Sequence, residues 1–128
     1  MKNSGKKPTA AELEILSVLW RDGSATVREV HDALARRKPI GYTTTLKLMQ
    51  NMHEKGLVAR DESQRSHVYR PALSQASAQR TMLRTVLDRL FGGSAAALVV
   101  QAIRWGEISP EELTEIRRLL DGLEGEAK

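Results

Sequence analysis

Several polar side chains between Thr43 and Asn51 have the types and spacing to contact nucleic acid. Thr43, Lys47 and Asn51 recur every four residues, which places them on one side of a helix. A threonine offers a small hydroxyl and a methyl group, a lysine suits a phosphate or a guanine, and an asparagine amide pairs with adenine. Thr44 and Gln50 border this row. The pattern predicts a helix surface that lies against double-stranded DNA.

A polar helix face is more often simply exposed to water, and that alternative has its own signature. Such a face usually carries Glu and Lys paired at a spacing of four residues, whereas Thr, Lys and Asn stand in that row here. The other side of the same helix is predicted to be buried, and it carries Thr45, Leu48, Met49 and Met52, flanked by Tyr42 and Leu46.

The elements around this helix follow the order of a winged helix-turn-helix. Helices are predicted over Ala10–Trp20, Val27–Arg37 and Thr43–Lys55, and the first two open with the capping boxes TAAE and TVRE. Gly56 is the predicted left-handed stop of the third helix. Residues 57–71 read as a hairpin with the polar loop DESQRS. In this order the third helix enters the major groove and the hairpin, or wing, touches the backbone beside it.

Basic residues around the helix add to the DNA hypothesis. Residues 1–70 carry 13 Lys and Arg against 8 Asp and Glu, while residues 71–128 carry 7 against 8. Arg65 at the tip of the wing is a candidate phosphate contact, as are Arg37 and Lys38 in the turn before the third helix. The N-terminal lysines form either an arm along the DNA backbone or a solubilising tail; they are Lys2, Lys6 and Lys7.

The second half of the chain is predicted to form three helices that pair with a second copy. They cover Ser74–Phe91, the apolar run 95–103, which should be buried on several sides, and a last helix capped by Ser109. A segment under ~60 residues rarely covers this much apolar surface alone, so a C2 dimer is expected, with folding back as a monomer as the alternative. The predicted dimerisation residues are Leu83, Val86, Leu87, Leu90, Phe91, Leu98, Val99, Ile103, Ile116 and Leu120.

These patterns predict a mainly α fold with a small β-hairpin: a winged helix-turn-helix DNA-binding domain at 1–72 and a helical dimerisation domain at 73–128. The chain has no cysteine and no apolar run of the ~20 residues that a membrane span needs. We therefore expect a cytoplasmic protein without membrane insertion. His31, His53 and His67 show no ligand spacing and belong to no catalytic motif, so no metal site, no cofactor and no enzymatic activity are expected.

The chain also resembles the penicillinase-repressor family, the BlaI/MecI/CopY-type transcriptional repressors. The segments that carry the likeness are TAAELEILSVLW, TVREVHDAL, GYTTTLKLMQNMHEKGLVAR, HVYRP and SPEELTEIRRLL. The spacing of YTT to EKGLV is the most specific of them. Thr45 stands where many members carry Val on the buried face, while the family's threonines are kept at Thr43 and Thr44.

The resemblance implies a homodimeric repressor that binds a dyad-symmetric operator and blocks transcription. Some members guard β-lactam-resistance genes, where a membrane sensor-protease or its downstream protease leads to cleavage in the C-terminal region. The corresponding segment here is Leu98–Arg104. Copper-responsive members use C-terminal cysteines, which this chain lacks. Two other classes stay open: a winged helix that binds only proteins, and a regulator that responds to a small molecule.

Overall fold

The computed structural model describes residues 7–127 and confirms the mainly helical fold, with a winged helix-turn-helix followed by a helical region. Its elements, in chain order, are α1 Ala10–Asp22, β1 Ala25–Thr26, α2 Val27–Ala35, α3 Tyr42–Lys55, β2 Val58–Asp61, β3 Val68–Pro71, α4 Gln75–Leu90, α5 Ala95–Trp105 and α6 Pro110–Ala127.

The first two helices begin at the predicted capping boxes. Thr9 Oγ1 accepts a hydrogen bond from the Glu12 N–H (3.2 Å), while Glu12 Oε1 accepts one from the Thr9 N–H (2.9 Å). Thr26 and Glu29 repeat this exchange at the start of α2. Each box satisfies two backbone donors that a helix N-terminus leaves unpaired, so both starts are confirmed.

The ends of these helices differ slightly from the prediction. α1 continues past Trp20 to Asp22, because the helix stops only where Gly23 adopts a positive φ of 88°. α2 ends at Ala35 rather than Arg37, because the Arg37 N–H bonds to the carbonyl three residues back (3.0 Å) and tightens the last turn.

The predicted hairpin is part of a three-stranded antiparallel sheet with the order β1-β3-β2. The strands β2 and β3 form the wing, with Arg60 opposite Tyr69, and β1 adds Ala25 on the other side of Tyr69. β1 was not predicted from the sequence, since a strand of two residues is too short to show any alternation. Through β1, the wing is tied to the residues that immediately precede α2.

The helices α1, α2 and α3 and the sheet enclose an apolar core. Tyr69 is 1% exposed, and Trp20 is half-buried with its Nε1–H donating to the Leu73 carbonyl (2.9 Å). The core also contains Ile15, Leu16, Val18, Leu19, Ala25, Val27, Val30, Leu34, Met49, Met52, Leu57 and Val58. All three helices of the winged domain are therefore fixed by packing against each other and against the sheet.

The chain divides into two compact units, Met1–Arg84 and Thr85–Lys128. The second contains the end of α4 together with α5 and α6, and α6 starts at the predicted cap, where Ser109 and Glu112 exchange hydrogen bonds. No residue of α5, which lies wholly within the described range, is buried. The prediction that 95–103 is buried on several sides is thus wrong for a single chain, because so small a unit has no further layer to cover this helix.

Within residues 7–127, none of the helices is by itself long and apolar enough to cross a membrane. The helices α4 and α5 have the length and composition of a membrane span only if they are taken together across the sharp bend between them.

Candidate nucleic-acid interface

The two sides of α3 differ in exposure as predicted. Thr45, Met49 and Met52 are 0% exposed, and the Thr45 hydroxyl donates to the Gly41 carbonyl (3.4 Å), so a polar group is accepted in the core. Burial of each methionine stabilises the fold by ~1.5–3 kcal/mol. This packing keeps the opposite side of the helix turned toward solvent. The exposed residues on that side are Thr43, Thr44, Lys47, Gln50, Asn51 and Glu54.

The start of α3 is positioned by a stack of side chains from α2. The Arg28 guanidinium carbon lies 4.8 Å from the centre of the Tyr42 ring, and the His31 ring meets the same ring edge-on at 5.7 Å. His31 Nε2 lies 3.0 Å from the Ile40 carbonyl oxygen, and since that oxygen only accepts, Nε2–H is the donor. These contacts fix the turn before α3 and hence the direction of its first residues, Thr43 and Thr44.

The end of α3 is held by a buried carboxylate. Lys55 Nζ lies 2.6 Å from Glu12 Oε2, and the side chain of Glu12 is only 3% exposed. Burial on its own raises the pKa of Glu12, but the hydrogen bonds from Lys55 and from the Thr9 backbone outweigh it, so the pKa lies below its ordinary value. Gly56 then ends the helix in the predicted left-handed conformation, with φ 84° and ψ 13°.

A groove of about 450 Å³ lies between α3 and the wing, and we call it the arginine groove. Three arginines from different elements line it: Arg28 from α2, Arg60 from β2 and Arg65 from the wing loop. The other lining residues are Thr26, Val27, Tyr42, Leu46, Gln50, Ser66, His67 and Tyr69. The fold thus brings the predicted residues Gln50 and Arg65 to one site, in a groove whose cationic lining suits a polyanion.

The acidic residues where β2 meets the wing loop, Asp61 and Glu62, are engaged within the wing itself. Glu62 Oε2 accepts from Arg60 Nε (2.7 Å), and this bond lowers the pKa of Glu62. Asp61 Oδ1 accepts from the Ser63 backbone N–H (2.9 Å), which lowers the pKa of Asp61. Arg60 also lies against Tyr69, with Nη1 3.4 Å from the phenolic oxygen.

Arg28 and Arg60 are the residues of this site that the sequence analysis missed. Arg28 follows the capping residue of α2, and Arg60 lies in a short strand. For Arg60 the only local signal was its place next to the wing loop. Which side of the sheet it faces depends on the strand register, which the local sequence does not reveal. For Arg28 the only signal was its position in the first turn of α2.

Two other predicted residues lie elsewhere. Arg37 and Lys38 are exposed but do not line the arginine groove. Lys38 Nζ pairs with Glu14 Oε1 of α1 at 2.6 Å, so its charge is partly compensated. Of the N-terminal lysines, Lys2 and Lys6 lie outside the described residues, and Lys7 is exposed.

None of the residues predicted to form a dimer interface is buried in the single chain, and most of them are exposed. Leu90 is 75% exposed, and Leu83, Val86, Val99, Ile103 and Leu120 are also exposed. Leu87, Phe91, Leu98 and Ile116 are half-buried. Exposed apolar side chains recur through α4, α5 and α6, where Trp105, Leu119 and Leu123 add to them. Extensive exposure of large apolar side chains is typical of a protein–protein interface.

The histidines form no site of their own. Across the part of the chain from 7 to 127, no three His, Asp or Glu side chains are grouped so that they could hold a metal ion. His31 belongs to the stack under α3, and His67 lies at the edge of the arginine groove.

Comparison with known proteins places the chain in a family. The family model described as Penicillinase repressor matches residues 8–122. A penicillinase repressor of Staphylococcus aureus is 21% identical over 123 residues, covering 96% of this chain and 98% of the relative. The transcriptional regulator BlaI of Mycobacterium tuberculosis is 30% identical over 115 residues (88% and 82%), and the methicillin resistance regulatory protein MecI of S. aureus is 18% identical over 121 (94% and 98%). With a match over nearly its whole length, the chain belongs to the penicillinase repressor family of transcriptional repressors.

Proposed function

We propose that this chain acts as a homodimer that represses transcription by binding an inverted-repeat operator through α3 and the wing. The observation that carries the proposal is the exposed row of Thr43, Lys47 and Asn51 beside the arginine groove. A helix of this kind fits the major groove, and the wing then lies over the adjoining phosphates.

The residues divide into two roles. Gln50 and Asn51 carry amides that can pair bidentately with adenine, and Thr43 and Thr44 offer methyl groups for thymine. Lys47 suits a phosphate or a guanine. Phosphate contacts are assigned to Arg65 at the wing tip and, from their place in the groove, to Arg28 and Arg60. Arg37 and Lys38 are assigned to the flanking backbone. Phosphate contacts position the protein, whereas base contacts specify the sequence.

The dimer is proposed from the uncovered apolar side chains of α4, α5 and α6. Pairing of two copies through these helices removes that surface from water. Under this proposal residues 1–72 bind DNA and residues 73–128 dimerise. The twofold axis then relates two recognition helices and requires two half-sites about one helical turn, or a multiple of it, apart.

The names of the relatives suggest which genes are controlled. Penicillinase repressors and a methicillin resistance regulatory protein are among them. We extend the proposal to a gene of β-lactam resistance, with release by proteolytic cleavage within Leu98–Arg104. This segment overlaps the proposed dimer interface at Leu98, Val99 and Ile103, so cleavage there would also disrupt the dimer.

The test combines footprinting on the DNA upstream of the chain's own gene with sedimentation at micromolar concentration. We expect a protected region with dyad symmetry and twice the mass of one chain. Binding should weaken steeply as salt rises, because phosphate contacts release counterions. A protein that remains monomeric and binds no upstream DNA at low salt would instead support a module that binds only other proteins.

A further inference from the structure

Arg60 occupies the junction between α3 and the wing. It lines the arginine groove and also a second, polar hollow of about 430 Å³ along the last turns of α3. Gln50 is shared by both, and Lys47 and Asn51 line the second. A duplex seated on α3 and the wing would therefore pass close to Arg60.

The guanidinium is already engaged in the free protein. Arg60 Nε and Nη2 lie 2.7 Å and 2.5 Å from the same oxygen of Glu62, and the Tyr69 ring centre lies 5.9 Å from the guanidinium carbon. The side chain of Arg60 is 20% exposed, whereas that of Glu62 is 52% exposed. The arginine is thus more enclosed than its acidic partner, which is largely open to solvent.

We propose, on the basis of the DNA-binding function proposed above, that Glu62 attenuates binding by holding Arg60 in an ion pair that a DNA phosphate must replace. The carboxylate and the phosphate are both oxygen anions that accept from the same N–H groups. Only one of them can occupy the Nε edge of the guanidinium. Because a phosphate contact carries no sequence information, Glu62 lowers the affinity for operator and for random DNA by the same factor.

The experiment measures fluorescence anisotropy of a labelled duplex from the upstream region and of a random duplex, each over a range of salt. Glu62→Gln keeps the shape of the side chain and removes its charge. We expect tighter binding to both duplexes by about two- to fivefold at low salt, the range expected for an exposed ion pair. The slope of log affinity against log salt should change by less than one, since Arg60 contacts the same phosphate in both complexes and only the cost of breaking its pair with Glu62 differs.

Two further variants isolate the pair. Glu115→Gln is the matched control, because Glu115 is likewise an exposed carboxylate paired with an arginine, Arg118, but it lies on α6. It should change neither affinity nor slope. In an Arg60→Gln background, Glu62→Gln should have no effect. If circular dichroism shows that Arg60→Gln is unfolded, Arg60→Lys replaces it, because lysine lacks the Nε–H that holds Glu62 and should reduce the effect.

The outcomes separate this proposal from the function on which it rests. Wild-type protein that binds the upstream duplex, with Glu62→Gln binding equally or more weakly, overturns the attenuating pair alone. A gain that persists in full without Arg60 overturns it as well, because the carboxylate would then act by simple repulsion of DNA. Wild-type protein that binds neither duplex refutes the DNA-binding function itself.

Discussion

Lys55 and Glu12 are 43 residues apart in sequence, yet Lys55 Nζ lies 2.6 Å from Glu12 Oε2. The same carboxylate caps α1 through its other oxygen, which accepts from the Thr9 N–H (2.9 Å). One buried side chain therefore joins the first turn of α1 to the last turn of α3, the helix proposed to read DNA.

Glu12→Gln should destabilise the protein at neutral pH. The amide oxygen can still accept from Thr9, but the charge that holds Lys55 is lost, so we expect a decrease in the free energy of unfolding of about 1–2 kcal/mol. Urea denaturation at fixed protein concentration measures this. Glu14→Gln is the control: it removes the exposed pair with Lys38 and should cost under about 0.5 kcal/mol. Equal losses in the two variants would contradict the special role of Glu12.

The effect of Glu12→Gln on the free energy of unfolding should depend on pH. The pKa of Glu12 in the folded protein lies below its ordinary value of 4.5. The stabilisation from its charge is therefore fully present above about pH 4.5 and is lost as the pH falls through the folded-state pKa. We expect the difference in unfolding free energy between wild type and Glu12→Gln to shrink over that acidic range. A difference that grows on acidification would contradict this sign.

Asn51→Ala should weaken binding to the operator more than it weakens binding to random DNA. If the amide reads a base, the preference for operator over random DNA falls by about 1–3 kcal/mol, as measured by competition binding at one salt concentration. Ser17→Ala, which removes an exposed polar group from α1, should leave the preference unchanged. An equal loss on operator and random DNA would reassign Asn51 to the DNA backbone.

Arg65→Ala should have the complementary effect. The loss of one phosphate contact weakens binding to every sequence alike and reduces the slope of log affinity against log salt by about one. Titrations with operator and random duplexes at several salt concentrations give both quantities. A selective loss on the operator would show that the wing tip reads sequence or groove shape.

Ile103→Glu should separate the two copies. Ile103 is 47% exposed in the single chain, and a buried unpaired carboxylate at an interface typically costs several kcal/mol, so we expect the dimer dissociation constant to rise by about 100-fold or more. Sedimentation equilibrium measures it. Gln101→Glu adds the same charge on the other side of α5 and should leave the dimer intact. A dimer that survives Ile103→Glu unchanged would place the interface elsewhere.

The local features of this protein could be predicted because short-range patterns determine them. The pair Thr9 and Glu12 marks a helix start within four residues, and the recurrence of Met49 and Met52 against Lys47 and Asn51 decides which side of α3 is exposed. The interactions involved act between neighbours on a single helix, so the order of residues is sufficient. The same reasoning failed for 95–103, where apolar composition indicated burial but not what would cover the helix.

The amino-acid sequence by itself determined the helix starts, the hairpin and the two sides of α3. Only the tertiary structure decided that β1 pairs with β3, that Arg28 and Arg60 meet Arg65 at one groove, and that Glu12 reaches Lys55. These relationships join residues far apart in the chain, and their geometry depends on strand register and on how the helices pack around a shared core. Periodicity within one element carries no information about either.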